Sequence, residues 1–230
     1  MISTKRLHIT FGIFLFVTFY ACLLAFLRPA LIGRFRADFL IWNLFLAWIP
    51  FFLSCVIHYI YRKHFDRRIL VYCVCIPCAL LWLLFYPNAP YMLTNFSHFS
   101  HFTFFAGRNE PILLAAWYDF IMYSVFVLTS FLMGCVSLYT LQSIVKNITN
   151  TVWSWLFVFG VLLLSSYAIF LGRFLRLNSW DVWHNAPNLI AQIQQSLTLR
   201  NFIFTVLFCI FLLMIYLAFV SIVHLKQSSK

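Results

Sequence analysis

The sequence alternates between long apolar runs and short polar segments. Six runs contain roughly 18 or more residues that are mostly apolar, and a helix of that length crosses the hydrocarbon core of a bilayer. The runs are residues 9–27, 39–61, 69–86, 112–141, 152–171 and 202–224. This pattern predicts a polytopic membrane protein with about six transmembrane helices.

Three polar segments that contain arginine separate these runs, at residues 28–38, 87–110 and 173–200. If all six runs cross the bilayer, the three segments emerge on the same face of the membrane. Pro87 and Pro90 end the third run sharply, because proline lacks an amide donor and restricts the residue before it. Apolar residues continue beyond Pro90, which predicts a short interfacial or re-entrant helix there, and they recur in the last segment, which predicts an amphipathic helix at the membrane surface. We therefore expect an all-α helical bundle that forms one domain over residues 1–230.

The composition excludes a soluble globular protein. Hydrophobic residues make up 64% of the chain and charged residues 9%, and the mean hydropathy is +0.93. Too few charges remain to cover a surface that faces water. The formal charge of +11 favours anionic partners, and membrane lipids are the nearest of these. Nucleic acid is not expected as a partner, since the basic residues are divided between two faces instead of forming one stripe.

The distribution of lysine and arginine predicts the orientation of the chain. One face carries Lys5, Arg6, Arg62, Lys63, Arg67, Arg68, Lys146, Lys226 and Lys230, and the other carries Arg28, Arg34, Arg36, Arg108, Arg173, Arg176 and Arg200. The difference is small, but the cluster from Arg62 to Arg68 occupies a very short loop and favours cytoplasmic termini. The arginines on the outer face are unusual under this rule, so either the orientation is inverted or these arginines bind anions or pair with carboxylates.

Polar residues within the spans lie near the same membrane boundary as these arginines. Small and polar residues recur at helical intervals in the second, fourth and fifth runs, so these three faces are expected to meet. Asn43 and Asp119 lie near the outer ends of two of them. A charge within a span costs several kcal/mol and is normally paired or functional. Arg173 and Arg176 share a helix face and suit Asp119, Asp181 or an anionic ligand, so a structural network and a working site are both open.

Histidines add candidates for acid–base or metal chemistry. His98 and His101 are three residues apart after Pro90, and Asp181 and His184 have the same spacing, which places each pair on one helix face. These four residues are candidate ligands for a divalent metal, although their spacing is not that of a zinc protease. The alternative is membrane anchoring with hydrated histidines. The sequence indicates no particular cofactor.

Four motifs then occur in a fixed order along the chain. They are residues 42–51 (WNLFLAWIPF), residues 87–91 (PNAPY) with Thr94 and His98, residues 117–119 (WYD), and residues 172–176 (GRFLR) with 178–181 (NSWD). Over about residues 40–211 the chain resembles the uncharacterised bacterial membrane-protein family catalogued as domain of unknown function 1361. The resemblance implies a multi-pass protein of a bacterial plasma membrane and implies no activity. Asn95 stands where the family usually carries Asp and Leu177 where it usually carries Trp, and the first difference removes a potential acid or metal ligand.

Two functions from different classes remain open. The favoured one is a noncatalytic role in lipid binding, transport or assembly, with an anionic lipid or headgroup held by Arg173, Arg176, Asn43, Asn88 and Asn178. The alternative is a membrane-embedded hydrolase or transferase that acts on a phosphorylated or lipid-linked substrate at the outer interface. Its candidate catalytic residues are His98, Asp119 and Asp181. The sequence shows no recognisably activated nucleophile, and it indicates neither protein partners nor an oligomeric state.

Overall fold

The computed structural model of this chain describes residues 4–32, 37–63, 68–101, 114–175, 192–196 and 198–228. These residues form helices joined by turns, and they include no strand. The elements are α1 (Thr4–Ile32), α2 (Asp38–Lys63), α3 (Arg68–Phe85), α4 (Asn88–Tyr91), a 3-10 helix (Met92–His101), α5 (Leu114–Ile148), α6 (Thr151–Phe174) and α7 (Leu199–Ser228). Six candidate membrane spans lie within them. The predicted all-α bundle is therefore confirmed.

The helices form because a chain in lipid must satisfy its backbone hydrogen bonds within each segment. Polar residues mark several helix ends. Asp38 lies in the first turn of α2, and Arg62 and Lys63 lie in its last turn, as the helix dipole favours. The side-chain oxygen of Asn150 accepts a 3.0 Å hydrogen bond from the backbone N–H of Trp153, which caps α6 and closes a tight hairpin with α5.

The central element of the bundle is α5, which has 35 residues and packs against α1, α2, α4, α6 and the 3-10 helix. Two peripheral elements, α3 and α7, pack mainly against α2 and α6 respectively. Many large apolar side chains of α7 are exposed, including Phe202, Leu207 and Met214. This helix therefore presents much of its surface to the outside of the bundle.

Contacts between helix ends define the two ends of the bundle. At one end, Arg62 near the end of α2 donates a 2.9 Å hydrogen bond to the Thr4 hydroxyl at the start of α1. We call this the lower end; α3 and α6 also begin there. The opposite end, where Arg28, Asp38 and Asp119 lie, is the upper end.

The third span is broken near the middle of the bundle. Trp82, close to the end of α3, donates its indole N–H to the Ser137 hydroxyl at 2.7 Å. Ser137 in turn donates to the Pro50 carbonyl at 3.0 Å, and Pro50 lies halfway along α2. The α-helix of this span therefore ends inside the bundle. The same contact joins the polar faces of α2 and α5, as expected.

The chain continues upward from this break through α4 and the 3-10 helix. Ala89 is completely buried, and its carbonyl accepts a 2.9 Å hydrogen bond from the Ser130 hydroxyl of α5. Gly134 leaves the space for this approach, since a Cβ there would lie only 3.0 Å from the Ala89 Cβ. A single candidate span covers Tyr72–Ser97. The apolar stretch therefore continues beyond Pro87, where the sequence pattern placed its end. Ala89, Met92 and Asn95 are buried in the bundle, whereas Ser97 is exposed.

Candidate functional site

A buried ion pair joins α1 to α5 at the upper end. Arg28 Nε donates to one carboxylate oxygen of Asp119 and Nη2 donates to the other, both at 2.9 Å. The side chains are 9% and 1% exposed respectively. A bidentate pair of this kind neutralises both charges and fixes the guanidinium plane. Both carboxylate oxygens of Asp119 are therefore engaged.

The residue before Asp119 strengthens the same contact. Tyr118 donates its hydroxyl proton to the Leu24 carbonyl at 2.7 Å, one helical turn before Arg28. Consecutive residues of α5 thus hold two successive turns of α1. In this chain the WYD motif docks the first helix onto the central one.

This pairing corrects an expectation about Asp119. The sequence offered Arg173 or Arg176 as its partner, whereas the structure places Arg28 there. The sequence pattern assigns Arg28 to the polar segment of residues 28–38, whereas the structure places it within α1. Its position at the end of an apolar span was the available signal, because a charge there needs a partner and the chain has five acidic residues against sixteen basic ones.

Arg173 lies apart from the ion pair, in the last turn of α6. Its side chain is partly exposed, and Nη2 donates to the Ser97 hydroxyl of the 3-10 helix. A cation suits this position because the last carbonyls of a helix carry partial negative charge. Within the described part of the chain, no carboxylate lies at ion-pair distance from Arg173. The contact also ties α6 to the upper half of the broken span.

The predicted asparagines lie at different depths. Asn43 is half-buried in α2. Asn88 donates a 2.9 Å hydrogen bond to the Phe85 carbonyl, so it caps α3 within the bundle. Asn95 is buried, and its amide contacts the Met92 sulfur at 3.2 Å. The structure therefore does not bring Asn88 to the upper end beside Arg173, and a binding role for Asn43 or Asn88 stays a prediction.

Several predicted site residues cannot be placed. Arg176, Asn178, Asp181 and His184 lie outside the described residues, as do the side chains of His98 and His101. The backbone of both histidines belongs to the 3-10 helix. Among the residues that are described, no three His, Cys, Asp or Glu side chains are grouped as metal ligands. The proposed metal and acid–base roles stay predictions.

The comparisons with known proteins match this architecture to a family. Residues 42–215 match the family described as Protein of unknown function (DUF1361). The chain belongs to this family. Asp119, Ser97 and Arg173 lie within the DUF1361 match, whereas Arg28 precedes it. No curated protein and no solved structure matches the chain.

The upper end of this DUF1361 protein thus contains two kinds of arginine. The guanidinium of Arg28 is desolvated and held by a carboxylate. The guanidinium of Arg173 is partly exposed and bonded to a neutral hydroxyl. A guanidinium has five N–H donors and suits planar, bidentate recognition of phosphate or carboxylate. The first arginine is therefore paired with a carboxylate, whereas within the described residues the second has a neutral partner.

Proposed function

We propose that this multi-pass membrane protein binds the anionic headgroup of a membrane lipid at its upper end, without chemical conversion, and that Arg173 is the main recognition residue. The observation that carries the proposal is the neutral partner of Arg173. Among the residues that the structure describes, Ser97 is the recorded acceptor for this guanidinium, and the proposal assigns its other donors to a phosphate oxygen. The upper half of the broken span forms the adjoining wall of the site.

The state of Asp119 favours binding over catalysis. A general base needs a carboxylate oxygen within reach of the proton that it removes. Both oxygens of Asp119 accept hydrogen bonds from Arg28, and the side chain is almost completely buried. Asp119 therefore acts in this proposal as the structural partner of α1, and the enzyme alternative loses one of its three candidate catalytic residues.

The proposal includes an orientation. Arg62 and Lys63 end α2 at the lower end, and α3 begins with Arg68 only five residues later. Arg67 adds a basic residue to the sequence of this short connection. Basic residues in short loops favour the cytoplasmic side, so the upper end faces away from the cytoplasm. The headgroup then belongs to a lipid of the outer leaflet.

The test is the binding of dioleoylphosphatidylglycerol to purified protein in mild detergent, measured by native mass spectrometry. Charged hydrogen bonds contribute about 1.5–3 kcal/mol, so Arg173→Gln should weaken binding roughly 10- to 100-fold. Arg200→Gln is the matched control, because Arg200 is an exposed arginine at the start of α7 on the same end. Dioleoylphosphatidylcholine, with a zwitterionic headgroup and the same chains, should not show the difference. Equal losses for the two arginine variants would refute the assignment to Arg173.

A further inference from the structure

A large apolar cavity lies in the lower half of the bundle, far from the arginine site. Its volume is about 750 Å³, and residues of α2, α3, α5 and α6 line it. The lining includes Tyr61, Ile76, Leu80, Ile144, Gly160 and Leu164. The cavity exists because α3 packs along α2 but makes few contacts with α5 and α6. The lower half of the third span therefore stands away from the centre of the bundle.

The lipid-facing side of the cavity determines what can fill it. Ile76, Leu80 and Leu164 line the opening and are 55%, 64% and 56% exposed respectively. These side chains face the hydrocarbon layer in a membrane. Apolar cavities exclude water and accept apolar guests. Hydrocarbon from the surrounding bilayer is thus the available filling material.

Polar groups are distributed unevenly along the cavity. Tyr61 and Asn147 lie at its lower end, next in sequence to the exposed residues Arg62 and Lys146. At the other end, the indole N–H of Trp82 is already donated to Ser137. The lining is therefore apolar toward the bilayer centre and polar at the lower end, where the exposed Arg62, Lys63 and Lys146 give that end of the bundle positive charge. This arrangement matches a lipid whose phosphate lies at the lower membrane surface and whose chain points toward the bilayer centre.

We propose that the cavity holds one acyl chain of an anionic phospholipid from the leaflet at the lower end. The lining of α3 from Tyr72 to Trp82 rises about 15 Å, which is half the thickness of a hydrocarbon core of about 30 Å and so the depth of one leaflet. The cavity volume also lies within the range of ligand pockets, about 300–1,000 Å³. The acyl chain fills the space that α3 leaves open beside α5 and α6.

Gly160 provides a direct test, because a Cβ added there meets no atom within 4 Å. Gly160→Trp should fill part of the cavity without a clash in the protein. Gly12→Trp is the matched control, since a Cβ added at Gly12 on α1 also meets no atom within 4 Å and Gly12 does not line the cavity. Dioleoylphosphatidylglycerol is titrated into delipidated protein, and retained lipids are counted by native mass spectrometry. Gly160→Trp should lose one bound lipid or bind it at least about tenfold more weakly, and Gly12→Trp should match the wild type.

Equal lipid binding by Gly160→Trp and the wild type would overturn the proposal. A wild-type dimer that is lost in Gly160→Trp, with lipid binding unchanged, would also overturn it, because a second copy of the chain would then occupy the cavity. Circular dichroism and gel filtration establish whether the variant folds. If it does not, Gly160→Leu makes the same test with a smaller side chain, and unchanged binding then overturns the proposal. Glycerophosphoglycerol, the headgroup without chains, should compete at Arg173 but not at the cavity. This competition separates a failure here from a failure of the arginine site.

Discussion

Loss of the Asp119 carboxylate should strongly destabilise the fold. Asp119→Asn keeps the size of the side chain but leaves the Arg28 guanidinium buried without an opposite charge. Removal of one partner from a buried ion pair costs about 3–5 kcal/mol, since the remaining charge is uncompensated. The two 2.9 Å hydrogen bonds and the 1% exposure of Asp119 place this pair in that class. We therefore expect a decrease of this size in the free energy of unfolding.

A double-mutant cycle isolates the contribution of the pair. Arg28→Met combined with Asp119→Leu replaces both charges by apolar groups, and such replacements of buried pairs are often neutral or stabilising. The double variant should therefore recover most of the stability that either single variant loses. Unfolding by sodium dodecyl sulfate in mixed micelles, followed by circular dichroism, measures each free energy. Arg200→Gln serves as the control and should change stability by less than about 0.5 kcal/mol, as exposed positions usually do.

The outcome also separates structure from chemistry at Asp119. Strong coupling, with rescue by the double variant, is expected if Asp119 serves to dock α1. Additive effects of the two single variants, or a cost below about 1 kcal/mol for Asp119→Asn, would contradict the reasoning, because contacting charges in one network should couple. A well-folded Asp119→Asn protein that had lost a measurable activity would instead return the enzyme alternative to consideration.

Two further predictions concern the contacts between α5 and the broken third span. Gly134→Leu should lower the free energy of unfolding by about 1–3 kcal/mol, because the added atoms collide with Ala89. Gly12→Leu should lower it much less, since a Cβ at Gly12 meets no atom within 4 Å. Unfolding in mixed micelles measures both variants, and equal losses would contradict close packing between Gly134 and Ala89. Ser137→Ala should lower the free energy of unfolding by about 1–3 kcal/mol, since the buried indole N–H of Trp82 loses its acceptor. Ser165→Ala is the control, because it removes only a hydroxyl that is bonded within its own helix. A smaller loss for Ser137→Ala than for Ser165→Ala would refute this prediction.

The six spans could be predicted because length and hydropathy are properties of a single segment. The end of the third α-helix at Pro87 could be predicted for the same reason, since proline acts on its own neighbours. The position of that break within the bundle could not be predicted. Residues such as Met92 suit an interfacial helix and a buried one equally, and the choice depends on the space beside Gly134, a residue far along the chain.

The candidate site shows the same division between local and distant information. The sequence marked Asp119 as a charge in need of a partner, because the rule depends only on its position within a span. The sequence pattern predicts seven arginines on the same face as Asp119, and each is a possible partner by that rule. Selection of Arg28 depends on how α1 packs against α5, and selection of Ser97 for Arg173 depends on the 3-10 helix that continues the third span. No periodicity within one helix carries that information.

The two arginine contacts also differ in their relation to the family. The docking contact of Asp119 reaches outside the matched region, because Arg28 belongs to the helix that precedes residue 42. Arg173 and Ser97 both lie inside that region, as do Ala89 of the broken span and its α5 neighbours Ser130 and Gly134. The proposed recognition site is therefore built entirely from the family's own segment, while its first transmembrane helix is attached by a separate ion pair. Substitutions that break the ion pair should therefore lower the free energy of unfolding, whereas substitutions of Arg173 should weaken lipid binding.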